Sequence, residues 1–232
     1  MDDEKINITK SDYNFFLSVN PNKKDILKKK INSQISKLDI KNLIFLDDDS
    51  QYDSTVEEVQ TTRLFPEYTF CKNIHTDDID KMFNKAHILL EMRLDDNTIV
   101  GFSLLNLETK DNHIYIHLLC ANSNYKKVGT EFINIIKKIT SQLGYSEIQL
   151  HTVTDAIEFY MKLNFMCYKD SCMLERLKSG KIVVVNTESA KEFIERGYEC
   201  PDNQCLMVYK IRDMNLNGGR SKTRKNKKKM FG

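Results

Sequence analysis

A short polar loop that leads into an amphipathic helix is the feature of this sequence best suited to chemistry. An apolar run ends at Ala121, the polar segment 122–127 follows, and a helical pattern begins at Val128. The first turn of a helix has backbone N–H groups without intrahelical partners, and the helix dipole places positive charge at the same end. Phosphate and pyrophosphate groups bind well at such an end. The sequence therefore predicts an anion-binding loop before the helix.

A second motif lies downstream of this helix. Residues 147–153 have the pattern of a strand, and residues 156–165 then read AIEFYMKLNF. Together, the loop and this motif resemble the Gcn5-related N-acetyltransferase (GNAT) family. Its members have a loop of the type Q/R-x-x-G-x-G/A before a helix, and a motif like A-x-x-F-Y-x-K-L-G-F after the next strand. In this sequence Leu118–Ala121 resembles the end of the family's fourth strand, and the resemblance covers residues 86–211 in the order of elements.

The resemblance implies a fold, a cosubstrate and a set of site residues. The implied fold is α/β, with a mixed, mostly antiparallel central sheet flanked by helices, and the implied cosubstrate is acetyl-CoA. An acetyl group would pass to a primary amine by direct attack on the thioester, with Tyr160 as the general acid that protonates the leaving thiolate. The implied cofactor-binding residues are the strand end and the loop, namely Leu119, Cys120, Ala121, Lys126, Lys127, Val128, Gly129 and Thr130.

Two loop positions depart from the family pattern. Asn124 stands where the family has Gln or Arg, and Lys127 stands where it has its first glycine. Glycine suits that position because it adopts a positive φ and lets the backbone approach a phosphate closely. A catalytically impaired relative is therefore the alternative to an active acetyltransferase.

The attacking amine must lose a proton, so a base is needed. His117 is the candidate, because its ordinary pKa of about 6.5 suits the task and strand alternation predicts that it shares a face with Tyr115 and Leu119. A structural histidine is the alternative interpretation of His117. Cys120 as an acylated nucleophile is disfavoured, since no activating partner lies near it in the sequence.

The elements around the site follow from apolar patterning. Three apolar runs separated by turn residues, at 87–94, 98–107 and 113–121, predict an antiparallel meander. Helices are predicted at 23–38, from 76 to 85, across residues 132–143 with Gly144 as a stop, and at 155–163; a further strand is predicted at 205–211. A strand at 182–185 and a helix at 189–196 form an insertion that echoes the 156–165 motif, with Ile194 where the acid would stand. If the insertion were the true motif, Tyr160 would lose its role.

Charge divides the chain into unequal parts. The formal net charge is +2, but the segment after Asp213 contains seven basic residues and no acid, so the rest of the chain carries 28 basic and 33 acidic side chains. We expect an N-terminal extension at 1–64, a GNAT-like domain at 65–213 and a disordered basic tail at 214–232. Residues 220–229 are a candidate for non-specific contact with nucleic acid or for a nuclear import signal, and a solubilising tail is the alternative. The tail is similar to basic ends of proteins from large nucleocytoplasmic DNA viruses of the mimivirus type.

The remaining features limit the class of protein. No apolar run approaches the ~20 residues that span a bilayer, and the acidic start 1–5 is unlike a secretory signal, so an intracellular protein is expected. The six cysteines are expected to be thiols in a reducing compartment. The two C-x4-C pairs (Cys167 with Cys172, Cys200 with Cys205) and the acidic segment 47–53 fit neither a zinc nor a calcium site well, so no metal is expected. The two resulting hypotheses are an acetyl-CoA-dependent N-acetyltransferase and a catalytically impaired GNAT-like module that binds nucleic acid or virion components through its tail.

Overall fold

The computed structural model describes residues 5–46, 57, 76–153, 156–167 and 205–211. Its helices and strands in chain order are β1 (Ile6–Asn7), β2 (Tyr13–Val19), α1 (Asp25–Ile35), β3 (Leu43–Leu46), α2 (Thr76–Lys85), β4 (Ile88–Leu94), β5 (Ile99–Glu108), β6 (His113–Ala121), β7 (Tyr125–Lys126), α3 (Val128–Gln142), β8 (Glu147–Thr152), α4 (Ile157–Lys162), β9 (Met166–Cys167) and β10 (Cys205–Lys210).

Eight of these strands form one sheet in the order β3-β2-β4-β5-β6-β8-β10-β9. Neighbours pair antiparallel except β2 with β3 and β6 with β8, which are parallel. A parallel pair needs a crossover connection, and α3 supplies it between β6 and β8. The fold is therefore the predicted mixed, mostly antiparallel sheet flanked by helices.

Each face of the sheet is covered by its own apolar cluster. The larger cluster, which we call the main core, contains inward-facing residues of α1, α3 and α4. The second cluster lies on the opposite face and joins Phe83 of α2 to Phe102 and Leu104 of β5. The rings of Phe83 and Phe102 stack with centroids 5.7 Å apart. Both faces are thus covered, which explains why most positions of β4 and β5 are buried and most of their side chains are apolar.

Helix α3 holds the loop that the sequence singles out, and its position is fixed by packing. Phe132, Ile133, Ile136 and Ile139 are fully buried against the sheet, and each such side chain contributes about 1.5–3 kcal/mol. The helix ends near Gly144, whose φ of 77° is the left-handed conformation that stops helices. The N-terminus of α3 is therefore anchored relative to β6.

The predicted meander, the helices at 23–38, 76–85, 132–143 and 155–163, and the strands at 147–153 and 205–211 are confirmed, with ends that shift by a few residues. Strand β2, which lies within the predicted N-terminal extension, was not predicted; it pairs with β3 and β4 inside the sheet. Within the described ranges, no helix is long and apolar enough to cross a membrane.

Several predictions fall outside the described residues. They concern the acidic segment 47–53, the insertion with its strand at 182–185 and helix at 189–196, and the basic tail at 214–232. Cys71, Cys172 and Cys200 lie there as well.

Candidate active site

The parallel strands β6 and β8 separate part-way along their length. They pair only from His113 with Glu147 to Ile116 with Leu150. Strand β6 continues to Ala121 and remains paired with β5 on its other edge. Among the described residues, no strand pairs with the β8-side edge of 117–121. We call this opening the fork; an extended ligand can add to such a free edge as a strand would.

A β-bulge lies at the point where the fork opens. Leu105 of β5 pairs with Ile116, whereas the preceding Leu104 pairs with Leu118, so His117 is the extra residue on β6. A bulge bends its strand and increases the local twist. The bulge thus accounts for the divergence of β6 from β8.

The bulge also reverses which face the later residues of β6 occupy. Ile114 and Ile116 lie in the main core, but Leu118 belongs to the second cluster on the opposite face. Leu119 is therefore turned back to the main core, where it packs. The prediction that Tyr115 and Leu119 share a face is wrong, because the extra residue breaks the two-residue alternation.

The predicted anion-binding loop leads directly from the fork into α3. Lys127 is the N-cap of the helix, and no side chain caps it. The backbone N–H groups of Val128, Gly129 and Thr130 are in the first turn, where an α-helix offers no carbonyl partner. Lys126 and Lys127 are exposed beside them. The loop therefore combines free donors, the positive helix end and two cations.

Lys127 adopts the conformation that glycine would supply at this position. Its φ is 68° and its ψ is 0°, in the left-handed region. A lysine enters that region at a cost in energy. The loop thus keeps its turn although the family's first glycine is absent.

Gly129 allows α3 and α4 to approach each other. A Cβ built on Gly129 would lie 3.1 Å from Cζ of Phe159, which is closer than side chains normally pack. Phe159 precedes Tyr160, and their rings meet edge-to-face with centroids 5.0 Å apart. The second loop glycine therefore fixes the position of the helix that carries the predicted acid.

Tyr160 is buried in the main core. Its ring contacts Phe165 with centroids 5.5 Å apart, and Leu119 and Ala121 of the fork pack against the same core. Burial raises the pKa of Tyr160 to about 12. The phenol therefore stays protonated across the physiological range, as a general acid must.

His117 is half-buried on the bulge. Its Nε2 atom is enclosed and has no hydrogen-bond partner within the part of the chain that the structure describes. Burial lowers the pKa of His117, and Glu108 opposes that effect while His87, Lys85 and Lys23 reinforce it. His117 is therefore neutral at neutral pH.

A second histidine lies at the fork, and sequence patterns did not single it out. His151 is the first residue of β8 beyond the last pair with β6, and its Nδ1 atom is 2.6 Å from the Tyr115 hydroxyl in a hydrogen bond. The ring of Tyr115 also contacts the ring of His117, with centroids 4.8 Å apart. The sequence signal was weak because Tyr115 and His151 are 36 positions apart in the chain.

Cys120 is disulfide-bonded, so the expectation of a free thiol is wrong at this position. A disulfide sulfur is not a nucleophile, and the structure therefore also removes the acylated-cysteine alternative. The backbone of Cys120 still lies on the free edge of β6, paired with Phe102 on the other side.

The residues present fit a pantetheine–pyrophosphate ligand. The fork offers an unpaired strand edge, and the loop offers N–H donors and two lysines. The first turn also contains Glu131, an acid that would oppose an anion, but its carboxylate accepts a hydrogen bond of 3.0 Å from the hydroxyl of Tyr13. No group of three or more His, Cys, Asp or Glu side chains in the described ranges is arranged to hold a metal ion.

The family model described as the acetyltransferase (GNAT) family matches residues 56–165. Over those residues the chain is similar to GNAT acetyltransferases. The matched region is slightly less than half of the chain, and it contains the meander, the bulge, the loop and the 156–165 motif. No curated protein sequence matches the chain.

Solved structures of acetyltransferases resemble the fold at low identity. Gcn5 from Tetrahymena is 13% identical with a TM-score of 0.49, covering 72% of this chain and 93% of that one. The ribosomal-protein-S18-alanine N-acetyltransferase from Escherichia coli is 10% identical with a TM-score of 0.45, covering 70% and 94%. A GNAT family acetyltransferase from Elizabethkingia anophelis with acetyl-CoA bound is 14% identical with a TM-score of 0.42, covering 59% and 83%. The chain spans 65%, 34% and 59% of the lengths of three further matched structures.

Proposed function

We propose that this protein is an acetyl-CoA-dependent N-acetyltransferase of the GNAT family, which transfers an acetyl group to a primary amine. The observation that carries the proposal is the fork between β6 and β8, with its free strand edge leading into the uncapped start of α3. The family match over residues 56–165 supports it.

In this proposal the loop and the strand edge orient acetyl-CoA. The N–H groups of Val128, Gly129 and Thr130, with the side chains of Lys126 and Lys127, would hold the pyrophosphate. The free edge formed by Leu119, Cys120 and Ala121 would pair with the pantetheine arm. The thioester would then lie in the gap between the strands.

The reaction is a direct transfer. The neutral amine forms a C–N bond to the acetyl carbon while the C–S bond breaks. Tyr160 gives its proton to the departing sulfur and recovers one from the new amide nitrogen. An ammonium substrate must first lose one further proton to a base, so the net products are the amide, the thiol and one proton.

The proposal is tested first by binding. Titration calorimetry with acetyl-CoA should show saturable binding to the full chain, and absence of heat at millimolar ligand would refute the cofactor assignment. The Tyr160→Phe variant should then bind acetyl-CoA within about twofold of the wild type, because the ring and its packing remain. Its turnover should fall at least about 100-fold if the phenol is the acid.

The proposal specifies the acetyl acceptor only by its chemical class, a primary amine. The acidic balance of residues 1–213, with 33 acidic and 28 basic side chains, favours encounter with cationic amines. An assay of the released thiol would separate the classes of amine. It would use three acceptors: spermidine, a lysine-containing peptide, and a peptide that has a free N-terminus as its only amine.

A further inference from the structure

The two histidines at the fork differ in what they can do with a proton. His117 lies on the bulge with its Nε2 enclosed. His151 is exposed at the end of β8. A base that turns over must pass its proton to solvent, and an exposed imidazole can do so directly.

His151 also lies on the side of the sheet opposite Tyr160. Ile148 and Leu150 of β8 lie in the main core, so the alternate residues, Gln149 and His151, are on the other face. Tyr160 approaches from the main-core face. A thioester held in the gap between β6 and β8 would thus meet the acid from one face and His151 from the other.

Tyr115 fixes the orientation of His151. The 2.6 Å hydrogen bond occupies Nδ1 and leaves Nε2 directed away from Tyr115. Such a bond sets which ring nitrogen carries the proton and how the ring is held. When the Nδ1 hydrogen is donated to the tyrosine oxygen, Nε2 has a free lone pair.

We propose that His151, oriented by Tyr115, accepts the proton of the acceptor ammonium, and that His117 does not. This inference rests on the proposed acetyltransferase function. In the step, the N–H electron pair of the ammonium remains on nitrogen as the proton moves to Nε2 of His151, and the proton then passes to solvent. Tyr115 is a positioning residue, since it acts through His151.

The charged groups around the two rings agree with this assignment. Four charged or titratable groups act electrostatically on His117, namely Glu108 of β5, Lys85 at the end of α2, and Lys23 and His87 outside the strands. Three of these four groups are basic, and they disfavour a protonated His117. At His151 the described partners are Tyr115 on β6 and Leu206, its backbone neighbour on β10.

The test uses the full chain with spermidine and the lysine-containing peptide as amine probes. The His151→Ala variant should bind acetyl-CoA within about twofold of the wild type and lose at least about 100-fold in kcat, the range for a general base. Added imidazole should restore part of that kcat, which a purely structural role would not allow. Tyr115→Phe should lower kcat by about tenfold, corresponding to one lost hydrogen bond.

Two variants serve as comparisons. Gln149→Ala changes the same strand and the same face two residues earlier, on the paired side of the fork, and should retain kcat within about twofold without any response to imidazole. His117→Gln should lower kcat less than His151→Ala does.

Each outcome is decisive. The His117→Ala variant, made for the imidazole comparison, should show no rescue of kcat by added imidazole. If wild type and His151→Ala turn over equally, or if imidazole rescues His117→Ala and not His151→Ala, the assignment of His151 is overturned while the acetyltransferase function stands. If the wild type neither binds acetyl-CoA nor acetylates any probe, both proposals fall together.

Discussion

Replacing Lys127 by glycine should stabilise the protein, which is unusual for a lysine-to-glycine change. The left-handed backbone at Lys127, with φ of 68°, costs a residue with a side chain about 1–2 kcal/mol. Glycine avoids that cost but adds about 0.4–1 kcal/mol of entropy to the unfolded chain. The difference predicts a net gain of about 0.5–1 kcal/mol in the free energy of unfolding. For a chain of 232 residues, that corresponds to a rise in Tm of about 1–4 °C.

Lys138→Gly provides the matched control. Lys138 is exposed in the interior of α3, where φ is helical and glycine costs about 1 kcal/mol. The same substitution eleven positions along the chain should therefore lower Tm by about 2–4 °C. Urea denaturation of both variants and the wild type measures whether each substitution raises or lowers the free energy of unfolding. If Lys127→Gly loses as much stability as Lys138→Gly, the argument from the backbone is wrong.

Lys127→Ala separates the backbone from the charge. Alanine keeps the left-handed strain but removes the cation, so acetyl-CoA affinity should fall by up to about fivefold at low salt, as for an exposed ion pair. Lys127→Gly should show the same loss. A loss that is absent from both variants, or that does not diminish with added salt, would exclude the lysine charge from cofactor binding.

Three further predictions concern other parts of the chain. Gly129→Ala should weaken acetyl-CoA binding and lower Tm, because its Cβ would press on Phe159 at 3.1 Å; calorimetry and thermal denaturation measure both effects, and an unchanged variant would contradict the close approach of α3 and α4. The pKa of Tyr160 is raised to about 12 in the folded protein, whereas a tyrosine in the unfolded chain ionises near a pH of about 10. Between these pH values, ionisation of Tyr160 in the unfolded chain should lower the free energy of unfolding by up to about 1.4 kcal/mol per pH unit. Urea denaturation should show Tyr160→Phe losing less stability over that range than the wild type, and equal slopes would mean that the phenol is not buried. The prediction that residues 220–229 contact nucleic acid means that the full chain should bind DNA in a salt-sensitive way, and that removing residues 218–232 should abolish this binding and leave acetyl-CoA binding unchanged, as measured by fluorescence anisotropy and calorimetry. Absence of DNA binding by the full chain, or equal binding by the shortened chain, would contradict that prediction.

The sequence by itself determined the elements whose signals are local. The apolar runs of the meander and the spacing of Phe132, Ile136 and Ile139 predicted β4 to β6 and α3, because one apolar face must be buried whatever the neighbours are. The loop before α3 was predicted in the same way, since the first turn of a helix leaves its backbone N–H groups without intrahelical partners. Strand β2 was not predicted, because it follows a polar segment and its pairing partners are distant in the sequence.

Only the tertiary structure decided what lies together at the fork. One extra residue at His117 moves the later side chains of β6 to the opposite faces of the sheet. A register shift of this kind has no signature in a single sequence. The contact between Tyr115 and His151 joins strands that α3 separates, so its geometry depends on the β6–β8 register rather than on either local pattern. Lys127 shows the same division: the sequence shows only that the family's first glycine is replaced, whereas the structure shows that the lysine adopts the left-handed backbone, with φ of 68°.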